Sequence, residues 1–357
     1  MGVRIQTHSS PLDFLRTVAP FPFADSGRTN LHIGFVVQRW LYATPVLAQP
    51  EQKVGAKPDT DEEVLVTVWQ DEQLCLMFSK LGWAQCKLVS PLAPPSLADI
   101  ALPLIPQLTS YLLTLSPFSS RPELLRSITG PHILVDAFLS HWPAPRKVEP
   151  SMWMCPMAAS VAPSSPLFPP GHSFERIKDI QQVSRDELEQ LARLLIGFYT
   201  HNTAPKLTLE QAVDNLCETV PAGAMWVYRA PATASSLSPS LPVAFVTTGR
   251  PTLRTVAIRG VFVAASHRRQ GIAERMVAAV TRAHLVDAPP LLLSYDKAVE
   301  TDDVEEEKTK WGGKEEVCLF VEPGNPGARA VYERARFVKS EVLWCDVDLE
   351  GIEPGHW

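Results

Sequence analysis

The residues with the clearest chemical content are Arg268-Arg-Gln-Gly-Ile-Ala273. They stand between an apolar run, Val261-Phe-Val-Ala264, and a stretch in which Ile272, Met276 and Val280 recur every four residues. That is a strand pattern turning directly into a helix pattern. Such a turn leaves the first N–H groups of the helix unpaired and sets the positive end of the helix dipole beside them, so a phosphate or pyrophosphate is a natural occupant. Gly271 lets the backbone approach the anion, and Arg268 and Arg269 add charge. Further on, Asn325 precedes Pro-Gly, where its side chain can cap a helix.

The bulk of the chain is that of a folded protein. At 357 residues it is long for one core and comfortable for two domains. Hydrophobic residues make up 45% and charged residues 20%, which argues against wholesale disorder and against a fibre. A net charge of -6 gives no electrostatic reason to expect nucleic acid as a partner. The 33 prolines are roughly twice the usual ~5% and point to long ordered connections. Six cysteines show no C-x-x-C spacing and no His-rich neighbourhood, so no metal site is expected and the thiols are expected to be reduced core residues. The first residues lack an apolar signal core, and the apolar stretch from Ala101 to Leu115 is too short and broken to span a bilayer. The expectation is a cytoplasmic protein without a membrane partner.

The elements that must position the turn follow from periodicity. Helical patterns run over 12–18 and 30–40, β-prone runs over 63–70, 73–79 and 84–90 form a meander, and 96–115, 121–127 and 132–142 look helical. Residues 143–173, rich in Pro, Ser and Met, mark the boundary, so the expected division is a first domain over 1–145, a linker over 146–173 and a second domain over 174–357. In the second domain Ser184-Arg-Asp-Glu187 and Thr208-Leu-Glu-Gln211 are capping boxes opening two helices. Strands follow over 224–229, 242–248 and 254–264, then a helix over 270–285 and an acidic interruption over 287–316. A strand over 316–321, a helix over 325–334 and a terminal strand or hairpin over 338–349 complete the chain.

This order, with Arg268, Gly271 and Ala273 at the turn, resembles the GNAT superfamily of acyl-CoA-dependent N-acetyltransferases. Asn325, Ala328, Tyr332 and Phe337 stand at the spacing of that family's second element, with Val331 for its Leu and Arg336 for its Gly. Upstream, Gly27-Arg-Thr-Asn-Leu-His-Ile-Gly34, Ile128-Thr-Gly-Pro-His132, Ala137-Phe-Leu-Ser-His-Trp142 and Gly249-Arg-Pro-Thr252 are similar to two-domain GNAT proteins whose first domain is a degenerate, acetyltransferase-like fold. The fold implied is α/β (α+β), a mixed and mostly antiparallel sheet flanked by helices, preceded by a smaller GNAT-like domain. Residues 1–145 contain no Arg-x-x-Gly-x-Gly/Ala turn, so only the second domain should bind cofactor.

The resemblance implies acetyl-CoA as cofactor. Its pyrophosphate would lie on the amides of Arg269, Gln270, Gly271, Ile272 and Ala273 with Arg268 and Arg269 adding charge, and its pantetheine along the main chain of Phe262 and Val263, with Asn325 bonding the pantetheine or a water. Tyr332 takes the position of the general acid that reprotonates the departing thiolate. The general base is open among Asp214, Glu218, His201 and the carboxylate of Trp357. Tyr199, His201, Asn202, Thr247 and Trp357 lie where the acceptor pocket is walled. The reaction implied is direct transfer to a primary amine, either of a small molecule (amino acid, polyamine or amine metabolite) or of a protein lysine or N-terminus. A third reading is an acyl-CoA-binding regulator without turnover. The oligomeric state is not legible.

Overall fold

The computed structural model describes residues 2–43, 63–82, 84–147, 149–177, 179–200, 207–220, 224–231, 240–288, 294–295 and 312–353. In the first half, β1 (Val3–Thr7) leads to α1 (Pro11–Val18), which Ser10 caps by accepting from Asp13 N. Next come α2 (Asn30–Ala43) and three strands: β2 (Val64–Gln70), rich in β-branched residues, and the mostly buried β3 (Gln73–Lys80) and β4 (Cys86–Val89). An irregular helical run begins at α3 (Pro94–Ser96) and ends in α4 (Ile105–Leu112). It is followed by β5 (Ser127–Pro131) and α5 (His132–His141).

The second half contains β6 (Met152–Ala159), β7 (Ser173–Arg176), α6 (Arg185–Thr200), α7 (Leu209–Thr219), β8 (Met225–Ala230), β9 (Leu241–Gly249) and β10 (Thr255–Val263). After them come α8 (Ile272–Leu285), β11 (Glu316–Val321), α9 (Pro326–Arg334), β12 (Val338–Lys339) and β13 (Trp344–Asp348).

Among the described residues the strands join in the order β1-β2-β3-β4-β5-β13-β6-β11-β10-β9-β8-β7, with β12 pairing with β6 beside that row. Two pairs are parallel, β4 with β5 and β10 with β11; the rest are antiparallel. The mixed, mostly antiparallel sheet flanked by helices is the expected fold class.

Several expectations change. Residues 127–131, taken partly as helix, form β5: after the short turn of helix at Pro122–Leu125, Ser127, Ile128 and Thr129 are fully buried in the sheet. The expected linker contains β6, which pairs with β11 on one edge and with β12 and β13 on the other. A Pro- and Met-rich composition hid it, because Pro156 interrupts the usual strand signal. The terminal strand is broken, and its last part, β13, inserts between β5 of the first half and β6. Five of the six cysteines are buried, but Cys217 on α7 is exposed rather than in the core.

The halves meet at a buried polar seam. Thr252 Oγ1 donates to Asp25 Oδ1 at 2.6 Å, Arg254 N donates to Asp25 Oδ2 at 3.1 Å, and Lys314 Nζ donates to the Thr252 carbonyl at 2.7 Å. Asn30 Nδ2 reaches the Arg250 carbonyl at 2.9 Å and Thr255 Oγ1 at 2.8 Å. Burial raises the pKa of Asp25 and lowers that of Lys314 to about 7, with Asp25 opposing the second shift. The two upstream segments, 27–34 and 249–252, thus belong to one contact.

Candidate active site

The turn after β10 is a backbone cradle. Ala265–His267 forms a turn of 3₁₀ helix; Arg269 then takes φ +63° and Gly271, the N-cap of α8, takes φ +74°. With Arg268 extended and Arg269 and Gly271 left-handed, the backbone turns tightly at the positive end of α8, the kind of place where N–H groups can hold an anion. A Cβ on Gly271 would meet Arg275 Nη1 at 3.3 Å in a backbone conformation that side chains resist. Arg269 and Gln270 are exposed, Ala273 is half-buried, and Ile272 packs inward with Met276 and Val280. Arg268 has a structural task as well as charge: its Nε donates to the Val263 carbonyl at 3.1 Å and its guanidinium lies over Phe262.

β10 and β11 run side by side only at their first residues. Thr255, Val256 and Ala257 pair with Glu316, Val317 and Cys318, and the register then stops although β10 continues to Val263 and β11 to Val321. The strands therefore open towards the turn. On its other edge β10 stays paired to β9, with Arg259 as the extra residue of a bulge between Ile258 and Gly260. Ala264 N donates to the Val243 carbonyl of β9. By strand alternation Phe262 also turns its main chain to β9, while Val261 and Val263 present theirs to the opening. This corrects the expectation for Phe262: Val263 turns its main chain to the opening, whereas Phe262 turns its own to β9 and is a buried core residue packed with Phe245 and α6.

The bulge also sorts side chains by face. Val256, Ile258, Val261 and Val263 join the cluster under α8 and α9, where Tyr332 packs close to Phe337. Burial pushes the Tyr332 phenol up to about 12, so it keeps its proton through the neutral range. Arg336 takes φ +73°. It stands where the family element has glycine and adopts the backbone that glycine favours, at a cost of roughly 1 kcal/mol. Asn325 caps α9: its Oδ1 accepts from Ala328 N at 3.0 Å. The helix-cap role is the one its geometry fills.

On the opposite face Thr247 sits against Gly260, and Phe198 of α6 lies beside both Gly260 and Tyr199. Thr247 and Phe198 therefore meet at the bulge, and Tyr199 is the next residue of α6. His201, Asn202 and Trp357 lie outside the described residues, as does the side chain of Glu218; Asp214 is exposed on α7. A cavity of about 860 Å³ opens elsewhere, lined by Phe21, Gly27, Leu74, Met157, Glu316 and Lys339 among others, and none of the expected site residues borders it. No residue spacing within 254–264 marks Arg259 as a bulge. The splay itself has no signal in sequence.

No family model matches this chain, and no curated protein matches it. Among solved structures, the GCN5-related N-acetyltransferase of Sphaerobacter thermophilus is 14% identical, with 98% of this chain and 96% of that chain covered and a TM-score of 0.48. A tandem GNAT protein from the clavulanic acid biosynthesis pathway is 12% identical over 96% and 98% of the two chains, at a TM-score of 0.41. Over nearly its whole length the chain is similar to solved GNAT proteins. A Drosophila protein is 9% identical over 99% and 100% of the chains, at a TM-score of 0.49. No helix among the described residues is long and apolar enough to cross a membrane.

Proposed function

We propose that this protein transfers an acetyl group from acetyl-CoA to the primary amine of a small molecule. The observation that carries this reading is the opening between β10 and β11, which leads straight into the anion cradle at Gly271. From the bulge at Arg259 to Ala264 is five residues, ~16 Å at strand rise, the span of a pantetheine-like chain between a reactive end and a diphosphate. The residues fit the cofactor. The N–H groups of Val261 and Val263 bind the extended arm as an added strand would, and the amides from Arg269 to Ala273, with the Arg269 side chain, hold the pyrophosphate. Acetyl-CoA, when bound, supplies an acyl group activated as a thioester.

The two faces divide the chemistry. The acceptor amine approaches on the face of Thr247 and Tyr199, and the thiol leaves towards Tyr332. A new N–C bond forms, the C–S bond breaks, the amine gives up one proton and the sulfur gains one. Tyr332 hydrogen-bonds the sulfur as negative charge builds there. Burial keeps the phenol protonated, so its proton is at hand for the sulfur, and the proton released by the amine restores it. Holding both reactants at the opening removes their translational entropy, so no covalent enzyme intermediate is needed.

A small acceptor is favoured because α2 of the first half and α6 of the second both pack on β10, bordering the acceptor face from two sides. Thiol release from acetyl-CoA across amino acids, polyamines and peptides tests the reading. Turnover with small amines is the expected result. Turnover with peptides alone would replace it by protein acetylation, and CoA binding without turnover on any amine would leave an acyl-CoA-binding regulator.

A further inference from the structure

Two guanidinium groups sit together on the acceptor face, with no carboxylate between them among the described residues. Arg259 is the bulge residue, and its side chain crosses Gly249 so closely that a Cβ there would lie 2.5 Å from Arg259 Cδ. Gly249 faces the same side as Phe245, so Arg259 points to the face of Thr247 and Phe198. The next residue, Arg250, is only 6% exposed, takes φ +51°, and its Nε has no hydrogen-bond partner. Its guanidinium lies 5.9 Å from the Phe35 ring of α2 and 6.0 Å from the Phe320 ring of β11, and Lys87 Nζ lies 4.0 Å over the same Phe35.

Among the described residues neither arginine forms an ion pair. The acids of the seam are committed elsewhere: Asp25 to Thr252 and the Arg254 amide, and Glu316 to the Gly27 amide. Burial, then the neighbouring Arg259, lowers the Arg250 pKa to about 10. Arg259 is exposed and Arg250 is buried behind it, and a buried guanidinium beside a like charge is costly unless an anion joins them. That anion is not the cofactor diphosphate, which belongs a strand's length away at Gly271.

We propose that Arg259, backed by the buried Arg250, binds a carboxylate carried by the acceptor, so that the substrate is a small amino acid and not a polyamine. The inference rests on the acyl-transfer reading for the role of the site, but not for the site itself. A planar guanidinium fork pairs with a carboxylate through two parallel hydrogen bonds. The same positive charge disfavours the ammonium form of an amine held close by, which delivers the uncharged nucleophile without a carboxylate base on β10. A polyamine, positive along its length, is repelled.

The test compares each amino acid with its decarboxylated amine and its carboxamide in thiol release with acetyl-CoA. The acid is expected to exceed both in kcat/KM by at least about 100-fold, because losing it leaves the guanidiniums unpaired. Arg259→Gln should cut that ratio about tenfold or more while leaving the KM for acetyl-CoA unchanged, and Arg259→Lys should restore part of it. Equal turnover of acid and decarboxylated amine, or an unchanged ratio in R259Q, overturns the proposal. Calorimetry with an N-acetylated amino acid on the CoA-loaded protein separates the two readings. Binding that R259Q abolishes, in a protein that turns over no amine, keeps the carboxylate site and removes the acyl-transfer reading. Turnover without carboxylate preference does the reverse.

Discussion

Each half of the molecule has one parallel strand pair reached through helices, and the two pairs end in opposite ways. In the second half β10 and β11 part after Ala257 and Cys318, and the turn beyond β10 exposes amides beside Gly271. In the first half β4 and β5 stay shut: a Cβ on Gly130 would lie 2.1 Å from the Leu88 carbonyl oxygen, closer than any separated pair allows. The turn after β4 contains Pro91, and its helix begins at Pro94 and Pro95. Three prolines remove three N–H donors from the place where the other half needs them.

The space beside β5 is filled from within. Thr129 Oγ1 lies within hydrogen-bond reach of Gln85 Oε1 and of Asp346 of β13, and Lys87 donates to the Gln85 carbonyl. Burial raises Asp346 to about 6 and lowers Lys87 to about 8. One architecture thus opens where the strands splay and becomes a packed support where they close.

Gly271→Val should break the comparison most sharply. A β-branched residue at φ +74° cannot keep the cradle, and CoA affinity by calorimetry should fall at least about 100-fold, with the unmutated chain binding one CoA. Two CoA per chain would erase the difference between the halves. Tyr332→Phe comes next. It should lower kcat about 100-fold, the low end for a lost proton donor, with CoA affinity within about twofold; an unchanged kcat would remove the donor role.

The third effect is acid instability of the first half. His32 is fully buried, neither ring nitrogen has a hydrogen-bond partner, and burial, aided by Lys87, lowers its pKa to about 3. The unfolded chain therefore binds a proton that the folded chain refuses between pH 6.5 and 3. Stability contributed by this group is complete above 6.5 and falls on acidification, by about 2 kcal/mol at pH 5. Denaturant unfolding at pH 7 and pH 5 measures it, and His32→Leu should flatten the dependence. His284 in the second half is also lowered to about 3, but its residue is half-exposed, so the same substitution there should change less. Smallest is Asn325→Ala, which should cost about 1 kcal/mol through the lost cap of α9 and be largely restored by Asp.

Local patterns were legible where a rule acts within a few residues. The capping box at Thr208, the four-residue stripe of α8, and the strands of the meander and of 224–264 form as their spacing predicts. At Ser184 only half the box closes, with Glu187 N donating to Ser184 Oγ while the Glu187 carboxylate pairs with Arg229. β1, β5, β6 and β7 were not anticipated. β6 carries Pro156 and Met residues, and the pairing that makes it a strand comes from β11 and β13, well over a hundred residues away.

At the site, the Gly271 turn and the Asn325 cap follow from residue type, since left-handed φ and a helix N-terminus are local demands. The sequence by itself determined an anion cradle, the helix that holds it and a tyrosine on a nearby helix. Only the tertiary structure decided that β4 stays closed, that Phe262 turns its main chain away from the opening of β10, and that Arg250 and Arg259 share one face without an acid among the described residues. Those outcomes depend on strand register, on a bulge and on packing between halves, which couple residues too far apart in the chain for local spacing to report them.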